Sequence, residues 1–203
     1  MTIKLDPFYL IVDSADWIER LVPLGVKLVQ LRIKDADEGR LRDEIRAAKA
    51  CCAHHDCTLV VNDYWQIAIE EGCDFVHLGQ EDFAIADIDA IRAGGLRLGL
   101  SSHDHAELDI ALAAQPDYVA LGPVYPTLLK KMPWQPQGLG RVEEWKRLTG
   151  SIPLVAIGGL TPERLAGVFA AGADTCAVVT DIVQNADPKQ RVREWIAATA
   201  PWR

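Results

Sequence analysis

The stretch of sequence that decides the fold is TLVVNDYWQIAIEEGCDFVHLGQED, residues 58–82. Its apolar run Thr58–Val61 predicts a strand, and Phe75–Leu78 predicts a second strand. Between them lies the helical segment Trp65–Glu71, which Gly72 ends. Two strands joined through a helix run parallel, because the crossover returns the chain to the same edge of the sheet. The stretch therefore predicts one unit of a parallel sheet, with polar residues directly after each strand.

The same alternation continues in both directions along the chain. Further strands are predicted at Phe8–Val12, Leu28–Leu31, Leu96–Leu100, Tyr118–Leu121, Pro153–Ile157 and Thr175–Thr180. Helices are predicted at about 15–24, 38–55, 85–93, 105–114, 142–148, 162–171 and 188–199. Eight strand–helix units favour closure, and near-continuous apolar strands suit a sheet covered by helices. We therefore predict an α/β fold: a compact single-domain (β/α)8 TIM barrel over residues 1–203, with a Pro-rich active-site loop at 123–140.

Charge and composition narrow the classes of function. The net charge of −8 over 203 residues repels nucleic acid, and no basic stripe offsets it. No apolar run approaches the roughly 20 residues that a membrane-spanning helix needs. The five cysteines are an odd number and lack C-x-x-C spacing, which argues against a disulfide framework and a zinc site. We expect a cytoplasmic protein that binds neither nucleic acid nor membrane.

Three polar side chains follow the second strand at a spacing of two, so they share one face. These are Gln30, Arg32 and Lys34. Arginine offers a bidentate fork and lysine a point charge, so the three side chains together suit a phosphate clamp. A solvated strand end is the alternative. In a barrel of this kind the chemistry lies at the carboxyl ends of the strands, which favours the clamp.

Carboxylates follow the third and fourth strands. Asp63 comes after Asn62, and Asp82 comes after the apolar run that holds His77. Two carboxylates beside a phosphate clamp indicate Mg²⁺, a hard cation usually held by one or two carboxylates, water and substrate phosphates. The alternative for Asp63 is a helix N-cap, a position that aspartate favours. We interpret His77 as a satisfied core residue rather than a member of the site.

The later strands end in hydroxyl groups and glycine. Ser101 closes the fifth strand in the run Ser101–Asp104, which resembles a hydrolase triad but lacks a G-x-S-x-G elbow, so we interpret Ser101 as a substrate contact. Gly159 follows the seventh strand and Thr180 the eighth. Bare backbone N–H groups there suit a second phosphate site. Two anion sites at one barrel mouth predict a reaction that joins two phosphorylated small molecules.

Several runs of the sequence resemble those of the thiamine-phosphate synthase family, in order and over residues 8–185. They are QLRIKD (30–35), VNDYW (61–65), VHLGQED (76–82), LGLSSHD (98–104), GPVYPT (122–127), MPWQPQGL (132–139), VAIGGL (155–160) and AVVTDI (177–182). The resemblance implies a Mg²⁺-dependent transferase. Such an enzyme condenses hydroxymethylpyrimidine diphosphate with a plain or carboxylated thiazole phosphate, and pyrophosphate leaves first to give a pyrimidine methyl cation.

The resemblance also implies a role for each matching residue. The diphosphate would bind Gln30, Arg32, Lys34 and Asn62, and Asp63 and Asp82 would bind Mg²⁺. Ser101 and Lys130 would act on the leaving pyrophosphate. The thiazole phosphate would contact Thr127, Gly159, Val179 and Thr180.

Departures from the family pattern cluster on the thiazole side. Leu129 stands where a hydroxyl is usual, Thr180 replaces a serine, and Asp181 places a carboxylate beside the expected phosphate. These changes keep two alternatives open: a thiazole tautomerase-like enzyme, in which a histidine would be expected in place of Pro123, and a diverged non-catalytic binding protein. The sequence leaves a homo-oligomer and the choice between the two thiazole phosphates open.

Overall fold

The computed structural model describes residues 3–127 and 135–203. Its strands form one closed parallel barrel in chain order, in which each strand pairs with the next and the eighth pairs with the first. The strands are β1 Phe8–Val12, β2 Leu28–Leu31, β3 Thr58–Asn62, β4 Phe75–Leu78, β5 Arg97–Ser102, β6 Tyr118–Leu121, β7 Leu154–Ile157 and β8 Thr175–Val178. The predicted (β/α)8 barrel is confirmed.

Helices cover the outside of the barrel. They are α1 Ala15–Leu21, α2 Glu38–His54, α3 Trp65–Glu70, α4 Gln80–Ile85, α5 Ile88–Ala93, α6 His105–Ala113, α7 Gly138–Thr149, α8 Leu165–Ala170, α9 Thr180–Val183 and α10 Pro188–Thr199. Short 3-10 turns lie at Val22–Leu24, Pro162–Arg164 and Ala200–Trp202. Aspartate side chains cap α2, α5, α6 and α10 by accepting a backbone N–H of the first turn. Within the described residues no helix is long and apolar enough to cross a membrane.

Several element boundaries differ from the sequence prediction, and three of the differences affect the barrel mouth. The single helix predicted at 85–93 is two helices, α4 and α5, because the backbone is extended at Ala86 and Asp87, and Asp87 then caps α5. The predicted strand Thr175–Thr180 ends at Val178, and Thr180 instead begins α9. The long loop, predicted to end at about Gly140, ends at Gln137, the N-cap residue of α7, which begins at Gly138. The proposed active-site loop is otherwise untested, since residues 128–134 lie outside the described residues.

The barrel has two separate hydrophobic clusters, because alternate residues of each strand face opposite ways. The larger cluster lies between the strands and the helices and includes the buried Trp145 and Trp195. The smaller cluster fills the interior and contains Leu5, Tyr9, Ile11, Leu28, Val60, Phe75, Tyr118, Ala120, Val155 and Ala177. The interior positions nearer the carboxyl ends of the strands are polar in β2 to β5, and this polar layer forms the floor of the site described next.

Candidate active site

The first half of the barrel mouth, after β2 to β5, is built of side chains, and we call it the side-chain half. Gln30 is buried in β2, and Arg32 follows, half-buried, with its backbone N–H donating to Val12 at 2.8 Å. A cavity of about 280 Å³ opens beside this clamp. Its lining residues are Asp13, Arg32, Ile33, Lys34 and Arg40. Two of the three predicted clamp residues therefore line one cavity.

Arg40 is a third cation at this cavity that the sequence analysis missed. It lies in the first turns of α2, whose N-cap Asp37 accepts the Arg40 backbone N–H at 2.9 Å. No strand-end spacing points to it, because it belongs to the helix that follows the clamp. The start of α2 brings Arg40 to the same cavity as the clamp. The signal in the sequence was Asp37, an N-cap residue that places the first turn of α2, and so Arg40, directly after the clamp.

Asp63, directly after β3, lies beside Asp82, which the structure places in the first turn of α4 rather than at the end of β4. Asp63 has a left-handed backbone (φ 68°) and accepts a hydrogen bond from Asn62 Nδ2 at 2.5 Å. Burial and then the charge of Asp82 raise the pKa of Asp63 from 3.8 to about 6, whereas Arg32 acts in the opposite direction. Two carboxylates can repel each other in this way only when they lie close together. Asp63 is not a helix N-cap, since Tyr64 occupies that position for α3.

The chemistry of this carboxylate pair fits Mg²⁺. A hard divalent cation held by the two carboxylates would offset the repulsion from Asp82 that helps to raise the pKa of Asp63. Among the described residues there is no group of three or more His, Cys, Asp or Glu that could hold a metal ion. Mg²⁺ commonly keeps waters and takes substrate phosphate oxygens, so a pair of carboxylates beside Arg32 is a sufficient protein contribution.

Ser101 lies at the end of β5, and its hydroxyl contacts a residue that the sequence analysis excluded from the site. Its Oγ is 2.9 Å from Nε2 of His77. His77 is buried, as expected for a core residue, and burial followed by the nearby charge of Arg32 lowers its pKa to about 4. The available signal was its period-two spacing from Phe75, which puts the ring inside the barrel.

The other half of the mouth, after β6 to β8, is built mainly of backbone, and we call it the backbone half. Gly158 and Gly159 have left-handed backbones with φ of 100° and 63°. A Cβ at Gly159 would lie 2.5 Å from the Pro126 carbonyl oxygen, so packing alone already requires glycine there. Thr127 is half-buried beside this loop. Lys130 and Leu129 lie outside the described residues.

Arg164 adds a cation beside the glycine pair. Its Nη1 donates to the Gly159 carbonyl oxygen, and its guanidinium lies 4.5 Å from the ring centroid of Tyr125. Sequence reasoning did not find Arg164, because it lies in the turn after β7 rather than at the strand end. Thr180 begins α9, and Val179 is the N-cap residue of that helix.

Asp181, the carboxylate next to Thr180, is paired with a cation of α10. Its two carboxylate oxygens accept from Nε and Nη2 of Arg191 at 2.7 and 3.0 Å. Trp195 Nε1 donates to the same carboxylate at 2.7 Å. Asp181 therefore links α9 to α10 through Arg191 and Trp195. Because its negative charge is paired with Arg191, it opposes a phosphate in the backbone half less than an unpaired carboxylate would.

Comparison with known proteins agrees with this geometry. The family model described as thiamine monophosphate synthase matches residues 8–182. The thiamine-phosphate synthase of Rhizobium etli is 67% identical over 200 residues, covering 98% of both chains. That of Salmonella schwarzengrund is 48% identical, covering 95% of this chain and 88% of the relative.

A solved structure shares the fold. The thiamine phosphate pyrophosphorylase from Pyrococcus furiosus superposes with a TM-score of 0.86 at 24% identity, covering 97% of this chain and 96% of the other. At that identity the likeness shows only the barrel fold. The family match and the two synthases are what show the family. The chain belongs to the thiamine monophosphate synthase family.

Proposed function

We propose that the chain condenses hydroxymethylpyrimidine diphosphate with a thiazole phosphate, giving thiamine phosphate and pyrophosphate. Family membership makes it a transferase of thiamine biosynthesis. The observation that carries the assignment to this site is that a cation and two carboxylates lie close together. Arg32 and Asp82 are both near enough to Asp63 to act on its pKa, in opposite directions. The tautomerase and non-catalytic alternatives find no support in the relatives, which are named as synthases.

The side-chain half suits the diphosphate. Arg32 and Lys34 supply positive charge at the cavity, and Gln30 and Asn62 supply amide groups at the ends of neighbouring strands. Arg40 lies at the same cavity and adds to the positive charge. Mg²⁺ held by Asp63 and Asp82 would neutralise the charge that builds on the leaving pyrophosphate.

The reaction we propose is dissociative, so the chain must stabilise the departing anion before the new bond forms. Ser101 would donate its hydroxyl hydrogen to the pyrophosphate, and Lys130 would approach it from the long loop. The thiazole phosphate would then be held in the backbone half by Thr127, Gly159, Val179 and Thr180. Asp181 supports this arrangement, because its negative charge is paired with Arg191.

We place the protein in the cytoplasm. The cysteines of the described residues are all free thiols, which agrees with a reducing compartment. Its partners are two phosphorylated small molecules, and a homo-oligomer stays the open alternative to a monomer.

The test is a direct synthesis assay. Purified protein is mixed with Mg²⁺, the pyrimidine diphosphate and the thiazole phosphate, and thiamine phosphate and pyrophosphate are quantified together. We expect equal amounts of both products and none when either substrate is omitted. Binding of both substrates without either product would overturn the proposal in favour of a binding protein. Isomerisation of the carboxylated thiazole alone would instead favour the tautomerase.

A further inference from the structure

A continuous chain of hydrogen bonds crosses the interior of the barrel beneath the mouth. Gln30 Nε2 donates to the Tyr9 hydroxyl at 2.9 Å, and that hydroxyl lies 3.0 Å from the hydroxyl of Tyr118. The Tyr118 hydroxyl lies 2.8 Å from His77 Nδ1, and His77 Nε2 lies 2.9 Å from Ser101 Oγ. The chain thus joins two expected substrate contacts, Gln30 and Ser101, through three buried side chains.

The fold makes specific room for the middle of this chain. A Cβ on Gly99 would lie 2.2 Å from the Tyr118 ring, so the glycine is needed for the ring to enter the barrel. The Tyr118 ring stacks on His77 with an interplanar angle of 11° and meets Tyr9 edge-on at 90°. Tyr9 and Tyr118 are almost fully buried, at 1% and 0% exposure. Packing therefore fixes the polar atoms that form the chain.

The chain of hydrogen bonds has a direction, because each of its side chains has only one or two hydrogens to donate. An amide nitrogen only donates, so Tyr9 accepts from Gln30, and the order that gives every buried hydroxyl hydrogen a partner sends the Tyr9 hydrogen to Tyr118. Tyr118 then donates to Nδ1 of His77, which places the imidazole hydrogen on Nε2. His77 Nε2 donates to Ser101, whose own hydroxyl hydrogen is left for the mouth.

If the hydrogen bonds ran in the opposite direction, Ser101 would present an acceptor to the mouth instead of a donor. If the Gln30 amide presented its oxygen to Tyr9, every hydrogen in the chain would reverse and Ser101 would donate to His77. Ser101 would then face the mouth as an acceptor only, and its lone pairs would oppose the oxygens of a diphosphate. One amide orientation in β2 thus decides the polarity of a hydroxyl in β5.

We propose that Tyr9, Tyr118 and His77 are positioning residues that hold Ser101 as a hydrogen-bond donor toward the diphosphate. The same order uses one hydrogen of the Gln30 amide and leaves its second Nε2 hydrogen and Oε1 for the same substrate. This inference rests on the proposed function, because it takes Gln30 and Ser101 as contacts of the pyrimidine diphosphate. It adds to that function three buried residues that act through Ser101.

The kinetic test is a double-mutant cycle between Tyr118→Phe and Ser101→Ala. The first variant keeps the ring and removes only the hydroxyl that orders His77. We expect Tyr118→Phe to lower kcat by roughly ten- to hundredfold, the range for one hydrogen bond to a charged group. The KM for the thiazole phosphate should not change. In the Ser101→Ala background the same change should lower kcat by less than about twofold, because its effect passes through Ser101.

The matched control is Phe75→Leu, which loosens the ring packing around Tyr118 without removing a polar atom. It should lower the melting temperature while kcat falls far less than in Tyr118→Phe. If Tyr118→Phe does not fold, Tyr9→Phe interrupts the chain one step earlier and should show the same dependence on Ser101. Equal losses of kcat in the two Ser101 backgrounds would overturn the proposal, as would a loss in Phe75→Leu as large as that in Tyr118→Phe.

A spectroscopic test needs no turnover. Nitrogen-15 NMR of histidine-labelled protein should show His77 protonated on Nε2 and bare on Nδ1, and the His77→Asn variant identifies its signals among the five histidines. Tyr118→Phe should remove the hydrogen-bond shift at Nδ1. A hydrogen on Nδ1 in the wild-type protein would overturn the proposed direction. Failure of the proposed function would instead appear as absent synthesis by the wild-type protein with this tautomer unchanged.

Discussion

The two halves of the barrel mouth solve the same problem, anion binding, with different materials. The side-chain half uses cations, carboxylates and hydroxyl groups projected from β2 to β5. The backbone half relies on Gly158, Gly159 and the start of α9, and its nearest charged groups are already engaged, Arg164 with the Gly159 carbonyl and Asp181 with Arg191. A site made of side chains can be altered without disturbing the fold, whereas a site made of backbone cannot.

Gly159 shows why this difference matters for experiment. Any side chain there would meet the Pro126 carbonyl oxygen and the Tyr125 side chain, and its φ of 63° disfavours residues with a Cβ. Loss of thiazole phosphate binding in a Gly159→Val variant would therefore not show that the phosphate lies at Gly159. Variants of neighbouring side chains test the backbone half more cleanly.

The largest effect should come from the carboxylate pair in the side-chain half. Asp63→Asn and Asp82→Asn should each lower kcat by on the order of 10²–10³, the usual cost of losing one electrostatic contact in the transition state. Each variant keeps nearly the same shape and removes the repulsion between the two carboxylates, so the melting temperature should not fall below that of wild type. Asp89→Asn, an exposed carboxylate on α5, is the matched control. Full turnover in excess EDTA would contradict the metal role.

A smaller effect should appear at two consecutive residues of the backbone half, where one substitution should change substrate binding and the other should change stability. Thr180→Val should raise the KM for the thiazole phosphate about tenfold, with little loss of stability, because it removes a hydroxyl from the expected contact. Asp181→Asn should do the reverse, lowering the free energy of unfolding by about 1.5–3 kcal/mol because the Arg191 and Trp195 contacts weaken.

Steady-state kinetics and urea unfolding of both variants provide the measurement. If Asp181→Asn instead changed the thiazole phosphate KM and spared stability, the carboxylate would have to face the mouth during turnover. The comparison between the two halves would then lose its strongest support.

The smallest effect is a pH-dependent stabilisation by Mg²⁺. The pKa of Asp63 is raised in the fold to about 6, so its contribution to stability is fully present below about pH 4 and is lost as the pH rises through 6. Mg²⁺ prefers the ionised pair, so it should raise the melting temperature by about 2–4 °C at pH 7.5 and hardly at all at pH 5. Thermal unfolding checks this, and an equal rise in Asp82→Asn would place the ion elsewhere.

Much of the fold could be predicted from the sequence, because strand periodicity and polar strand ends are local signals. The bounds of β1, β2, β4 and β6 agree with the prediction to the residue. The missed break between α4 and α5 lies in a helical pattern that continues through Ala86, where only the extended backbone before the Asp87 cap reveals it. The start of α9 at Thr180 was missed because the apolar run of β8 continues into Val179.

The sequence by itself determined the barrel and the order of its polar strand ends, because both follow from alternation along neighbouring residues. Tertiary structure alone decided which distant groups meet. Arg40 joins the clamp through the start of α2, Asp181 turns to Arg191 ten residues away, and Tyr118 reaches His77 through space that Gly99 leaves empty. Whether a hydrogen bond or an ion pair forms depends on differences of a few tenths of an ångström in the distance between two polar atoms. Only closure of the barrel sets the positions of atoms that lie on different strands and helices.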